Sequence, residues 1–236
     1  MKKYEITDEV NERGLHRIQA LINMPSHSVK VGDIGGWIEK EENLSQSGEA
    51  WVSDDAQVSD DAQVYDDAWV SGDAWVSGKA QVCGEARVSG DAQVSGDAWV
   101  SGKARVYGKA HIYGDAWVFD NAQVSGKAHI YGDARVSDDA HISGKARVYG
   151  DARVSDDAHI SGDADYIVFK NFWSSGRWLT WTRSNNRWRV GCFYGTGAEL
   201  IKKAYQDSEV SGKEYERVVK YVESILNDEK TTEVEK

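Results

Sequence analysis

Proline and cysteine are almost missing from this 236-residue chain, which holds one Pro and two Cys. A single proline removes the Pro-rich linker and polyproline classes. Cys83 and Cys192 lie far apart and outside any C-x-x-C spacing, which excludes a disulfide framework and a metal-ligand motif. No run of 18 apolar residues occurs, so no helical membrane span is expected. The opening segment MKKYEITDEVNERG is charged and has no apolar centre, so it does not read as a secretory signal, and the cytoplasm is the expected compartment. Basic residues are also missing locally. Residues 49–78 carry eight acids (Glu49, Asp54, Asp55, Asp60, Asp61, Asp66, Asp67, Asp73) and no Lys or Arg. Residues 164–205 reverse this balance, with seven Lys/Arg against Asp165 and Glu199. A net charge of −11 argues against direct duplex nucleic-acid binding and leaves local basic contacts open.

What the chain has in excess is repetition. Alanine recurs every six residues from Ala50 to Ala164, (164 − 50)/6 + 1 = 20 times, and Val or Ile follows two residues later from Val52 to Ile160, (160 − 52)/6 + 1 = 19 times. The unit reads A-x-[VI]-x-[GD]-x, as in Ala74-Trp75-Val76-Ser77-Gly78-Lys79. Residues two apart in a strand share a face, so Ala and Val/Ile point inward together while the intervening positions point out. The Gly-Asp, Gly-Lys and Asp-Asp pairs that follow tolerate positive φ and supply corners. A strand, a corner and another strand, repeated without interruption, predict a parallel β-helix. Three six-residue sides make one coil of 18 residues, and nineteen units make about six triangular coils.

This pattern resembles the hexapeptide repeat of left-handed parallel β-helices, and the resemblance supplies the handedness. The stretch VGDIGGWIEKEENLSQSGEAWV (31–52) is similar to the N-terminal cap of YdcK-like hexapeptide-repeat proteins of bacteria and prophages. RWRVGCFYGTGAELIKKAY (187–205) resembles a small module on phage-encoded relatives. The expected organisation is an N-terminal cap and irregular first coil over 1–48, with Trp37-Ile38 and Leu44 in that coil, and the repeat β-helix over 49–165. A C-terminal α+β module follows over 166–228 and a frayed tail over 229–236. The module is expected to hold strands at Tyr166–Phe169, Trp178–Arg183 and Arg187–Phe193. Two helices should start at capping boxes, Thr196 with Glu199 and Ser211 with Glu214, the second carrying Val218, Val222 and Ile225 on one face.

The 18-residue period assigns each outward residue to a face. One face carries Trp51, Trp69, Arg87, Arg105, Gln123, His141 and His159. The second carries Gln57, Trp75, Gln93, His111, His129 and Arg147, and the third Gln63, Gln81, Trp99, Trp117, Arg135 and Arg153. On the second face the hexapeptides GKAHIY, GKAHIY and GKARVY stack three rows: Lys109, Lys127 and Lys145; His111, His129 and Arg147; Tyr113, Tyr131 and Tyr149. Lysines one coil apart start about 4.8 Å from each other and repel by at most about 1 kcal/mol per exposed pair. The rows therefore suit either a solvated or subunit-contact face or a site for an anionic, nucleotide-like ligand. Trp51 with Trp69, and Trp99 with Trp117 beside Phe119, form aromatic pairs that mark contact surfaces. The resemblance implies side-by-side trimers for these pairs, so a homo-oligomer, with a trimer favoured, is expected.

In FWSSGRWLTWTRSNNRWRVGCFY, Arg177, Trp181, Arg183, Arg187 and Arg189 fit a contact strip for single-stranded nucleic acid or a nucleotide, or a module packed on the end of the β-helix. Cys192 reads as buried. The resemblance also implies an enzyme reading, acyl-CoA-dependent acyl transfer, for which His111 and His129 are the candidate histidines. Against it, the units run without an insertion that would wall off a pocket, and a general base needs an orienting acid and shielding from water. The favoured reading is a non-catalytic scaffold of phage or prophage type that needs no cofactor or metal. It would present charged and aromatic faces to a host protein, such as a defence factor, or to an anionic ligand.

Overall fold

The computed structural model describes residues 2–234, with side chains up to residue 227, and divides into two units, 1–165 and 166–236. In the first unit, nineteen two-residue strands run from β4 (Trp51–Val52) to β22 (His159–Ile160). Each pairs in parallel with the strand three places on, in the sheet orders β5-β8-β11-β14-β17-β20, β4-β7-β10-β13-β16-β19-β22 and β6-β9-β12-β15-β18-β21. The partners are always 18 residues apart, as in Gln93↔His111 and Trp99↔Trp117. The expected period and all three faces are therefore those of the structure. The interior is built only from the two small inward positions: every repeat Ala from Ala50 to Ala158 is fully buried, and every Val/Ile from Val52 to Ile160 is at most 1% exposed.

The corners show why only two residue types follow the residue after each Val or Ile. From Asp54 to Asp156 that position always has positive φ, and it is Gly or Asp in every coil, as at Gly126 (φ 67°) and Asp66 (φ 58°). A Cβ on Gly126 would stand 2.8 Å from the carbonyl oxygen of Gly144 in the next coil. Aspartate survives there because its side chain works: the Asp66 carboxylate accepts the backbone N–H of Gly84 one coil on, at 3.1 Å, and Asp54 and Asp60 do the same for Gly72 and Gly78. The acidic amino-terminal coils are thus partly a corner device.

The first coil extends the solenoid to about seven turns, one more than the repeat count predicts. Strand β3 (Ile34–Ile38) pairs in parallel with β5 (Gln57–Val58) through Trp37↔Gln57 and Ile38↔Val58, and Leu44 bridges to Val64. These contacts use the Trp37-Ile38 and Leu44 positions expected of an irregular coil. The sequence reading did not contain the antiparallel hairpin ahead of it, β1 (Tyr4–Val10) and β2 (His16–Ala20), which adds to the edge of β3. Gly35 permits this closure, since a Cβ there would lie 2.6 Å from both Ile18 and Trp51. The hairpin buries Tyr4, whose hydroxyl donates to the Leu44 carbonyl at 2.7 Å, and Lys3, whose ammonium donates to the Ala50 carbonyl at 2.7 Å.

In the second unit, β23 (Tyr166–Lys170), β24 (Trp178–Thr182), β25 (Arg187–Val190) and β26 (Phe193–Gly195) form one antiparallel sheet. The single expected strand Arg187–Phe193 is split, because Gly191 at φ 59° turns the chain so that Val190 pairs with Phe193. That turn leaves Cys192 exposed, not buried as expected. Helix α1 (Gly197–Asp207) starts at the Thr196/Glu199 capping box. Helix α2 (Glu209–Val234) begins before Ser211, because the Ser208 hydroxyl takes the capping role and accepts the Ser211 N–H at 3.1 Å. Its buried stripe is Tyr215, Val219 and Val222, with Val218 and Leu226 at the margin and not Ile225 as read from sequence; it packs with Leu179, Trp181, Trp188 and Val190 of the sheet. The tail expected to fray, 229–236, lies outside the residues whose side chains are described.

Two expectations follow. Asp66→Asn keeps a left-handed-tolerant residue with an acceptor oxygen and leaves the melting temperature nearly unchanged, whereas Asp66→Val costs on the order of 2 kcal/mol, read by denaturant titration. Burial pushes the Lys3 ammonium down to about 8, against the opposing pull of Asp67 and Glu49. The folded chain then sheds that proton before the unfolded chain does. Stability therefore rises from about pH 8 to about pH 10, where Tyr4, held above its ordinary range by burial, starts to reverse the trend. Lys3→Met abolishes the rise in thermal melts recorded across that range.

Candidate functional site

The second face brings the three predicted rows together. His111 pairs with His129 and His129 with Arg147 in the parallel ladder. The two imidazoles stack at 4.8 Å between centroids with 4° between planes, and Tyr113 stacks on Tyr131 at 5.0 Å and 1°. Tyr149 continues that column at 5.3 Å from Tyr131. On this face each ring repeats the pose of the ring below, because each backbone repeats the coil below and holds the rings at the coil spacing. The lysines at the leading corner, Lys109, Lys127 and Lys145, are exposed, and Lys109 pairs at 3.5 Å with Asp91 of the preceding coil.

The electrostatics of the rows follow from this crowding. Burial between neighbouring rings, then the nearby His111 and Arg147, hold the His129 imidazole below the usual histidine range. Burial and the adjacent Tyr131 raise the Tyr113 phenol. The face therefore favours neutral His129 beside the Arg147 guanidinium and the corner lysines. Among the described residues, neither His111 nor His129 hydrogen-bonds a carboxylate; each faces the other. The shallow depressions at Lys40–Asp61 and at Arg13–Trp75 lie beside the N-terminal cap, the second of them two coils from His111. Among the described residues no group of three His, Cys, Asp or Glu side chains is placed to hold a metal. No described helix is long and apolar enough to cross a membrane.

The aromatic pairs divide. Trp51 is 1% exposed, with Tyr4 set edge-on against it at 6.5 Å, so the hairpin removes it from any outer interface. Trp69 is half-buried: His27 leans on it at 5.3 Å, Arg87 lies over it, and its indole N–H donates to Ser53 at 2.9 Å. Trp99 and Trp117 remain an outer pair at 5.1 Å, with Phe119 half-buried in the coil of Trp117 and the Arg135 guanidinium 4.7 Å from the Trp117 ring. The Trp99 indole N–H donates to Cys83 Sγ at 3.1 Å.

In the second unit the predicted contact strip is separated by strand alternation. Trp181 is 1% exposed and faces the helices with Trp188, its indole N–H held by Asn186 at 2.9 Å. Arg187 and Arg189 pair with Thr182 and Thr180 and so stand on the opposite side of the sheet. Arg183 reaches back to within 5.8 Å of the Trp181 ring, and Arg177 is exposed at the Gly191 turn. Trp181 and Trp188 do not share a stacking surface with Arg187 and Arg189, because successive residues of a strand point to opposite sides.

Sequence reasoning missed two groups near the cap, Lys3 and Arg13 stacked 4.6 Å over Trp75; His27, read from sequence as a cap histidine without a recognisable partner, has both ring nitrogens buried without a hydrogen-bond partner among the described residues. Their environment depends on the hairpin, which has no repeat signal. The family model of the YdcK β-solenoid repeat matches the chain five times, over residues 62–78, 80–96, 92–108, 128–144 and 146–162. No curated protein matches the chain.

Because the fold holds His129 below its unfolded value, the unfolded chain takes up this proton first as pH falls. Stability is thus lost from about pH 6.5 downward, and His129→Gln reduces that acid-side loss in melts compared at neutral and mildly acidic pH.

Proposed function

This chain is a β-solenoid repeat protein of the YdcK type, and we propose that its repeat region is a non-catalytic binding scaffold that engages an anionic partner through the second face. One observation carries the reading: lysine, imidazole or guanidinium, and phenol stand in unbroken register over three coils, at Lys109–Tyr113, Lys127–Tyr131 and Lys145–Tyr149. A rigid row of cations beside hydrogen-bonding phenols attracts carboxylates or phosphates and pays little ordering entropy, because the backbone ladder already fixes the spacing. On this reading the candidates for that partner are a host protein or a nucleotide-like molecule, in keeping with the resemblance of residues 187–205 to a module of phage-encoded proteins. Acyl transfer receives no comparable support. His111 and His129 stack on each other with no orienting acid, and the coils from Trp51 to Ile160 run without a loop to shield a reacting centre.

The test uses inorganic tripolyphosphate as the probe, titrated by calorimetry at low salt. The wild-type chain is expected to bind, and Lys109→Glu, Lys127→Glu and Lys145→Glu together are expected to weaken binding at least about tenfold, with the circular dichroism spectrum retained. Equal binding by the triple variant overturns the reading. Acetyl-CoA is expected to give no binding heat, and heat that His111→Ala with His129→Ala removes restores acyl transfer.

A further inference from the structure

The second face has an order along its axis that an anion-binding strip alone does not need. The column at its leading corner runs Asp55, Asp73, Asp91, Lys109, Lys127, Lys145, one residue per coil. The three acids precede the three bases, and the sign changes between the coil of Gln93 and the coil of His111. The column at the trailing edge changes at the same place: Ser59, Ser77 and Ser95 precede Tyr113, Tyr131 and Tyr149. Charge and bulk therefore both switch at one level of the solenoid.

We propose that this face binds the same face of a second copy of the chain, antiparallel, about a two-fold axis lying in the contact plane between the coils of Gln93 and His111. The proposal rests on the reading of the Lys/His/Tyr rows as the docking side for an anionic partner, and it names that partner: the acidic half of the same face. A two-fold contact is self-complementary, so residue i meets j while j meets i. An axis along the strand direction reverses the order of coils and keeps leading corner against leading corner. Asp91 then meets Lys109 of the second copy, and Asp73 meets Lys127. At the axis, the Asp91–Lys109 pair already present within each chain at 3.5 Å combines with its copy into a ring of four alternating charges. On the trailing edge, Ser95 receives Tyr113 and Ser77 receives Tyr131, so the bulky stacked phenols fill the space above small side chains. A parallel arrangement sets Asp against Asp and Lys against Lys and has neither property.

The contact is confined to the middle of the column. The hairpin turn bonds Arg13 to Gln57, and Arg17 holds Asp55 at 3.0 Å, so the first coil is already occupied; Arg13 also reaches over Trp75 in the middle of the second coil, whose corner residue Asp73 stays exposed. Asp73, Asp91, Lys109 and Lys127 are all exposed. Around the trailing corner, on the third face, Lys79 comes nearest Asp133 of the second copy, while Asp97 and Asp115 oppose each other at the solvent-exposed rim, where screening is strong. Four coils at about 4.8 Å make a footprint about 20 Å long and about 15 Å across. That is less than roughly 1,000 Å² of total burial, the range of weak, transient contacts. The expected species is a dimer with a dissociation constant of tens of micromolar that weakens with salt.

Sedimentation velocity over a concentration series at low and high salt tests this on the full chain. The wild type is expected to shift from monomer to dimer at low salt and to lose at least about tenfold in affinity at high salt. Lys109→Glu with Lys127→Glu, and separately Asp73→Lys with Asp91→Lys, are each expected to remain monomeric. All four substitutions in one chain restore the complementarity in mirror order and are expected to restore the dimer. Circular dichroism keeps misfolding from passing as dissociation. A monomeric wild type at several hundred micromolar, a closed trimer, or a folded four-substitution chain that stays monomeric overturns the proposal. Asp73→Asn with Asp91→Asn separates the two readings: it should abolish the dimer and leave tripolyphosphate binding intact. Tripolyphosphate binding that depends on the lysines, in a chain that never dimerises, leaves the anion reading standing and removes only this partner.

Discussion

The rest of the structure depends on one constraint, the closing of the outward strand residues' backbone N–H groups onto a carbonyl 17 residues further on, as in Trp99 to Ala116 and His129 to Ala146. Those bonds fix the axial spacing. They also fix where each outward side chain stands, because a residue has no freedom to leave the column of the residue 18 before it. The interior contributes little selectivity, since Ala and Val/Ile recur unchanged. It is a uniform filler that lets the outer positions vary without cost to the core. Stability and recognition are consequently written in different positions of the same hexapeptide. The price of that separation is the left-handed corner, where only Gly or a self-satisfying Asp fits.

The solenoid was legible in the sequence because its periodicity is local and redundant. Any one coil shows the inward pair, the corner and the outward residue, and eighteen residues suffice to place every face. The register of His111 on His129 and of Trp99 on Trp117 needs no tertiary information beyond that count. The hairpin of Tyr4–Val10 and His16–Ala20 was not legible. Its strands carry no hexapeptide period, and its anchors, the Lys3 ammonium and the Tyr4 hydroxyl, bond carbonyls more than 35 residues away in sequence. Trp51 was misplaced for that reason: its position in the repeat points outward, and only the hairpin makes outward mean covered.

The C-terminal unit shows the same limit in a different form. Strand positions were read within a residue or two, but the Gly191 turn divided one of them and brought Cys192 to the surface. A helix box at Ser211 looked like a start because Glu214 follows it, yet the chain had already capped itself three residues earlier with Ser208. In both places a short motif was chemically sound and a neighbour performed its role first. The arginines of this unit were read as one strip; strand alternation placed Trp181 and Trp188 on one side and Arg187 and Arg189 on the other.

Near-identical hexapeptides also bear on how the gene can change length. Unequal recombination between copies such as GKAHIY at 108–113 and 126–131 adds or removes whole units. Gain or loss of 18 residues keeps every later residue on its own face and only displaces it along the axis. Gain or loss of six residues preserves the buried pattern equally well, but moves everything downstream to the neighbouring face. The core cannot distinguish these events, and the columns can. Among natural length variants, an excess of multiples of eighteen over the other multiples of six would report selection acting on the surface rows themselves, independent of selection for folding.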